Sequence, residues 1–303
     1  MRLKSALRRG VAAAVIAGIV VSSGIPAYAA QWDIADGSIT VKAGDAEGTN
    51  RVTQGEKDVE DTDTVITGES KENTVTIDTS GGNVDVTFDD LKIDASDKGE
   101  AAVRVEGNGD ATIELDGKNE LKSGSYNAGL EKDGHRSEGT LTIKDDKGKD
   151  GSLTAEGGDG GGAGIGGGKE STGSNITIRG GTIEAVGGSN AAGIGDGAGR
   201  ASDDTDDPNP GKLYICGDAE VTAKAGSQMM TDAKAPAIGG TYGEVPTESL
   251  SDADHKVTGG RLTRYGPDGT EMEGMGYDYT STPTPQPEED EDDDDDVPPP
   301  AQE

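Results

Sequence analysis

Asn175-Ile176-Thr177-Ile178-Arg179-Gly180-Gly181-Thr182-Ile183-Glu184-Ala185, followed by Ala192-Gly193-Ile194-Gly195, holds one full unit of the pattern that organises this chain. Two short alternating segments and one Ala-Gly-Ile-Gly segment are separated by glycine and small residues. Apolar side chains at every second position mark a half-buried strand, because successive side chains in a strand point to opposite faces. The first segment returns as Val84-Asp85-Val86-Thr87-Phe88, Ala111-Thr112-Ile113-Glu114-Leu115, Leu141-Thr142-Ile143 and Leu213-Tyr214-Ile215. The second returns as Leu91-Lys92-Ile93, Glu120-Leu121, Ser152-Leu153-Thr154-Ala155 and Glu220-Val221-Thr222-Ala223.

The third segment carries its apolar residue at Val103, Leu130, Ile165, Ile194 and Ile238, spaced 27, 35, 29 and 44 residues apart. Three short strands in an irregular period of about thirty residues is a solenoid signature. The spacing predicts a right-handed parallel β-helix, with insertions such as Ser202 to Gly211 placed in loops. One rung buries few side chains, but rungs stacked at about 4.8 Å make continuous inward columns of Val, Ile and Leu. That is how a chain with one Phe and one Trp builds a core. Stacking the segments on their last apolar residue gives an inward column of Phe88, Leu115, Ile143, Ile178 and Ile215. The next residues, Asp89, Asp116, Lys144, Arg179 and Cys216, then form an outward column.

Residues 1–29 have the parts of a secretory signal: Arg2, Lys4, Arg8 and Arg9, an apolar run from Val11 to Val21, then Ala27-Tyr28-Ala29. The mature chain is expected to start at Ala30 or Gln31 and to be secreted or held at the cell surface. Residues 30–63, with Trp32-Asp33-Ile34 and Ser38-Ile39-Thr40-Val41, read as an N-terminal cap and first partial rung. Residues 64–279 are the repeats. Residues 280–303, with nine consecutive acids from Glu288 to Asp296 between proline-rich runs, cannot bury a core and read as an extended, disordered tail.

Removing the signal takes four of 27 Lys and Arg, which leaves 23 against 59 Asp and Glu, a net charge of −36. So acidic a chain makes nucleic acid and anionic membrane poor partners, and neither is expected. Cys216 is the only cysteine, and His135 and His255 lie in polar loops with no local partner, so no nucleophile and base pair is encoded and no catalytic residue is expected. Gly162-Ala163-Gly164-Ile165-Gly166-Gly167 matches G-x-G-x-x-G formally, but no helix follows it and weaker copies recur at Ile194 and Ile238. Corner geometry explains it better than nucleotide binding does.

The run Gly162-Ala163-Gly164-Ile165-Gly166-Gly167-Gly168, with Asn175 to Ile183 and Ala192 to Gly195, resembles the Gly-Ala-Gly-Ile-Gly-Gly-Gly repeats of exported proteins of monoderm bacteria. Those proteins are similar to a clostridial carbohydrate-binding family. Trp32-Asp33-Ile34, Leu121-Lys122-Ser123-Gly124 and Ala128-Gly129-Leu130 fit as well, so the resemblance covers residues 32 to 240. It implies a β-helix like that of pectate lyases, recognition of plant-type polysaccharide including acidic sugars, and bound Ca²⁺. It carries over no individual sugar-binding residue. The acidic tail and the degenerate repeats at Gly195-Asp196-Gly197 and Ile238-Gly239-Gly240 depart from it.

Candidate sites come from the outward faces. Asp89 and Asp116, with Asp90 and Asp145 one position on, are the candidate Ca²⁺ ligands, because facing carboxylates repel unless a cation intervenes. Thr87, Thr142 and Thr177 form a candidate ladder for a repetitive polymer, and Tyr214, outward by parity, is a candidate platform for a sugar ring. The expected function is a non-catalytic carbohydrate-binding or adhesin-like β-helix that engages a polysaccharide with Ca²⁺ assistance. The alternatives are a polysaccharide (uronate) lyase using Lys144 or Arg179 as base, and a structural surface stalk.

Overall fold

The computed structural model describes residues 30–132, 139–148, 150–199, 212–228, 235–240, 243–244 and 255–272. The expected signal, the 280–303 tail and the whole Ser202 to Gly211 insertion lie outside them. The described chain is almost entirely β, its one helical element a 3-10 turn at Ile34–Asp36. Among the described residues no helix is long and apolar enough to cross a membrane.

The strands form a 13-stranded and a 10-stranded sheet. Neighbours are parallel, except where Ile39–Ala43, Asn50–Gln54 and Lys57–Asp61 form an antiparallel meander and where Ile238–Gly240 meets Gly243–Glu244. Each strand pairs with its counterpart in the next repeat. Ala111–Asp116 pairs with Leu141–Lys144, which pairs with Ile176–Ile178, then Leu213–Ile215, then His255–Val257. Lys118–Lys122, Ser152–Glu156, Thr182–Val186, Glu220–Lys224 and Arg261–Tyr265 make a second column. Val103–Glu106, Leu130–Lys132, Ile165–Gly166, Ile194–Gly195 and Ile238–Gly240 make a third, in the smaller sheet. Parallel strands need a crossover of a dozen or more residues. Here the other strands of the repeat supply it. The 11-residue strand Val84–Asp94 joins the first two columns, pairing with Ala111–Asp116 through its first half and with Lys118–Lys122 through its end.

The core is the inward half of these columns. Val86, Ile113, Ile143, Ile178, Ile215 and Val257 lie on successive strands, all buried, as are Val103, Leu130, Ile165, Ile194 and Ile238 in the third column. Each such side chain contributes about 1.5–3 kcal/mol on burial. Asn119 interrupts the apolar row it shares with Leu153. It is fully buried, and its side chain accepts from Leu91 N at 2.9 Å and donates to Asp116 O and Ser152 O at 3.1 Å each, which ties the first corner together.

The register corrects the inward column read from the sequence. Ile143 pairs with Ile113, and Phe88 and Leu115 pair with each other two residues further along. The two early strands run two residues longer before they turn. Aligning segments on the last apolar residue therefore shifted them against the later ones. Lys144 consequently faces Glu114 rather than Asp116, and Thr87 shares Glu114's row rather than that of Thr142.

The glycine motif in the third column has a steric cause. Gly166 and Gly195 have φ of 133° and 130°, and a Cβ on them would sit 2.0 Å from Gly195 O and 2.2 Å from Gly239 O. Only glycine allows one rung to lie so close on the next. At the N-terminal end, Trp32 stacks in register on Ile66, and Ile66 on Phe88.

Candidate functional site

The outward face of the first column carries two adjacent rows. One is Asp85, Thr112, Thr142, Thr177, Tyr214 and Lys256; the other includes Thr87, Glu114 and Lys144. Arg179 follows Ile178 and donates its backbone N–H to Ile143 O at 2.8 Å, which brings it beside Lys144. Side chains of consecutive rungs lie one strand spacing apart, so both rows are ladders with a fixed step.

A cleft of roughly 500 Å³ lies over the early part of these rows. Asp85, Thr87, Thr112, Glu114, Thr142, Lys144 and Arg179 line its floor, and Gly48 to Asn50, Thr62 to Thr64 and Lys147 rise around it. Asn50 holds one wall by donating to Thr64 Oγ1 at 2.9 Å and to Asp85 O at 2.6 Å. Lys147 reaches from the other side, its Nζ 3.4 Å from Asp63 Oδ1 and 3.5 Å from Thr87 Oγ1.

Glu114 anchors the cleft. It is 4% exposed, and its Oε1 accepts from Asp146 N at 2.8 Å and Lys147 N at 2.7 Å, which fixes the turn that carries Lys147. Its Oε2 lies 3.2 Å from Lys144 Nζ, an ion pair whose angle falls short of a hydrogen bond. Lys144 Nζ also donates to Asp146 Oδ2 at 2.9 Å. The Asp146 contact, reinforced by Glu114 and opposed by partial burial, raises the Lys144 pKa above the ordinary lysine value. Lys144 is thus held as a cation. Burial also raises the Cys216 thiol, against a lowering by Arg179, so the sulfur stays protonated near neutral pH.

Of the sequence-predicted ligand residues, Thr142 and Thr177 are register partners, and Tyr214 continues their row past the cleft lining. Thr87 is in the cleft, in the neighbouring row and 7% exposed. The predicted aspartates separate into different roles. Asp89 and Asp116 are neighbours in register, and burial, then Asp116 and Asp90, push the Asp89 pKa up. Asp90, bent into the left-handed region at φ 51°, accepts from Lys118 N at 2.9 Å. Asp145 is buried and accepts from Gly151 N at 3.0 Å, which closes the loop between them. Ca²⁺ takes six to eight oxygens. Among the described residues no group of three or more His, Cys, Asp or Glu is placed to hold a metal ion.

Sequence reasoning passed over Thr112, Glu114 and Lys147. Thr112 was findable by parity with Thr142. Glu114 was findable by setting Ala111-Thr112-Ile113-Glu114 against Leu141-Thr142-Ile143-Lys144. The walls around Asn50 and Thr64 had no such signal, because they come from the antiparallel meander and the connection that follows it, outside the repeats.

The chain matches no protein-family model, no curated protein and no solved structure. The likeness to the clostridial carbohydrate-binding family therefore rests on the residues quoted above.

Proposed function

We propose that the two sheets wind as one right-handed parallel β-helix, exported from the cell, and that the cleft over Thr112, Thr142 and Glu114 binds a polysaccharide without acting on it. The three columns support the helical reading, since each repeat visits them in the same order. The cleft carries the functional one. Its floor repeats hydroxyl and charged groups from rung to rung, Thr112 with Thr142 and Glu114 with Lys144, and a polymer of repeating polar units offers a matching series of hydroxyls. A groove spanning several rungs suits a chain rather than a single small molecule.

The lyase alternative is the weaker of the two. A lyase base must accept a proton, and Lys144 is held protonated by Asp146 and Glu114. Arg179 is a still poorer base. The test incubates the mature chain with insoluble and acidic polysaccharides, with and without chelator, and reads pull-down together with unsaturated uronide. Retention without product is the expected result. Loss of retention in chelator would bring Ca²⁺ into the binding step, and product would replace the binding reading with the lyase.

A further inference from the structure

Asp61, the last residue of the strand Lys57–Asp61, is 0% exposed. Its carboxylate accepts from Trp32 Nε1 at 2.6 Å, from Asp63 N at 3.2 Å and from the backbone N of Ala30 at 3.1 Å. Among the described residues it has no lysine, arginine or histidine partner. Lys57, on the same strand, places its ammonium over the Trp32 ring, 5.9 Å from the centroid. Lys147, further out, pairs with Asp63. A buried carboxylate with no counter-charge is costly, and three neutral donors compensate it only in part.

The missing charge has a natural source one residue after Ala27-Tyr28-Ala29. We propose that the Ala29–Ala30 bond is the processing site and that the α-ammonium released on Ala30 is the counter-charge of Asp61. This rests on reading residues 1–29 as an export signal. A signal peptidase adds water across the bond, leaving a carboxylate on Ala29 and an ammonium on Ala30. The new ammonium already lies within hydrogen-bond distance of Asp61 Oδ1, and Ala30 is fixed there because its carbonyl accepts from Val65 N at 3.2 Å. Before cleavage the same position offers a neutral amide. The unprocessed chain therefore docks its first strand, Gln31–Asp33, more weakly on Val65–Ser70, and processing locks the end of the stack that Trp32 covers.

The experiment has two arms. Intact-mass analysis of the protein secreted by a monoderm host reads the first residue, which should be Ala30; any other start overturns the proposal. Separately, protein released from a cleavable fusion to begin at Ala30 is compared with the same protein carrying one extra N-terminal glycine, each with Asp61 and with Asp61→Asn. With Asp61, the extra glycine should lower Tm by at least about 3 °C. With Asp61→Asn the two starts should melt together. Equal melting with Asp61 present, or a glycine penalty that persists in Asp61→Asn, overturns the pairing. Because the fusion fixes the start chemically, this arm reads the pairing whether or not the chain is exported or binds a polysaccharide.

Discussion

Glu114 and Lys144 stand side by side on neighbouring strands, and the buried carboxylate of the first both pairs with the second and holds the backbone N–H groups of Asp146 and Lys147. One side chain thus fixes a wall of the cleft and, with Asp146, supports the charge of a residue on its floor. Glu114→Ala strands two N–H donors and leaves Lys144 with Asp146 alone, and should destabilise the protein by about 1–3 kcal/mol. Glu114→Gln keeps an acceptor for the turn and should cost about half as much. Urea denaturation of the three proteins at pH 7 measures the order, and an alanine variant as stable as the parent would remove Glu114 from this role.

Lys144 gives a pH signature. Its folded pKa is raised, so the stability it contributes is fully present below the unfolded lysine value of about 10.4 and is lost as pH rises through the folded value. The difference in Tm between the parent and Lys144→Met should therefore be constant from pH 7 to about 10 and shrink above that. A difference that shrinks near neutral pH would show that another group is responsible.

Asp89 behaves in the opposite sense for a carboxylate. Burial and its neighbours Asp116 and Asp90 raise its pKa, so folding is opposed by its charge at neutral pH and relieved once it protonates. Its favourable contribution is complete below the unfolded value of about 3.9 and lost as pH rises through the folded one. Asp89→Asn should raise Tm by about 1–3 °C at pH 7, with the gain disappearing below pH ~4. If instead Ca²⁺ raises the Tm of the parent and not of Asp89→Asn, a cation binds at Asp89.

The third column tolerates no side chain at its glycines. Gly195→Ala forces a Cβ to within 2.2 Å of Gly239 O at a φ of 130°, and should cost about 3 kcal/mol or more. Gly48→Ala, at φ 76° with nothing within 4 Å of the added carbon, should cost only about 1 kcal/mol. Thermal melts of the pair compare contact with backbone strain. Equal losses would mean that the close approach of the rungs is not what selects glycine at Gly195.

The strands were legible because their signal is local. Ile176-Thr177-Ile178 alternates, and the parallel pairing of each segment with its counterpart follows from the repetition. Register was less legible, because nothing within Val84 to Phe88 says how far the strand runs before its corner. The two extra residues there displaced Phe88 and Leu115 against Ile143, and with them the charges on the outer face. The cleft was least legible. Six of its sixteen lining residues, Gly48 to Asn50 and Thr62 to Thr64, come from the meander and the connection that follows it, which belong to no repeat.

The central claim is that the cleft floor holds a polysaccharide. The direct measurement is retention of the mature chain on a panel of insoluble polysaccharides, beside Thr142→Arg, which crowds the cleft floor, and Thr154→Arg, which changes the outward face of the second column instead. On the polymer that retains the parent, Thr142→Arg should weaken binding at least tenfold, about 1.4 kcal/mol, and Thr154→Arg should leave it unchanged. Equal retention of all three proteins, or no retention of the parent on any polymer, would contradict the assignment.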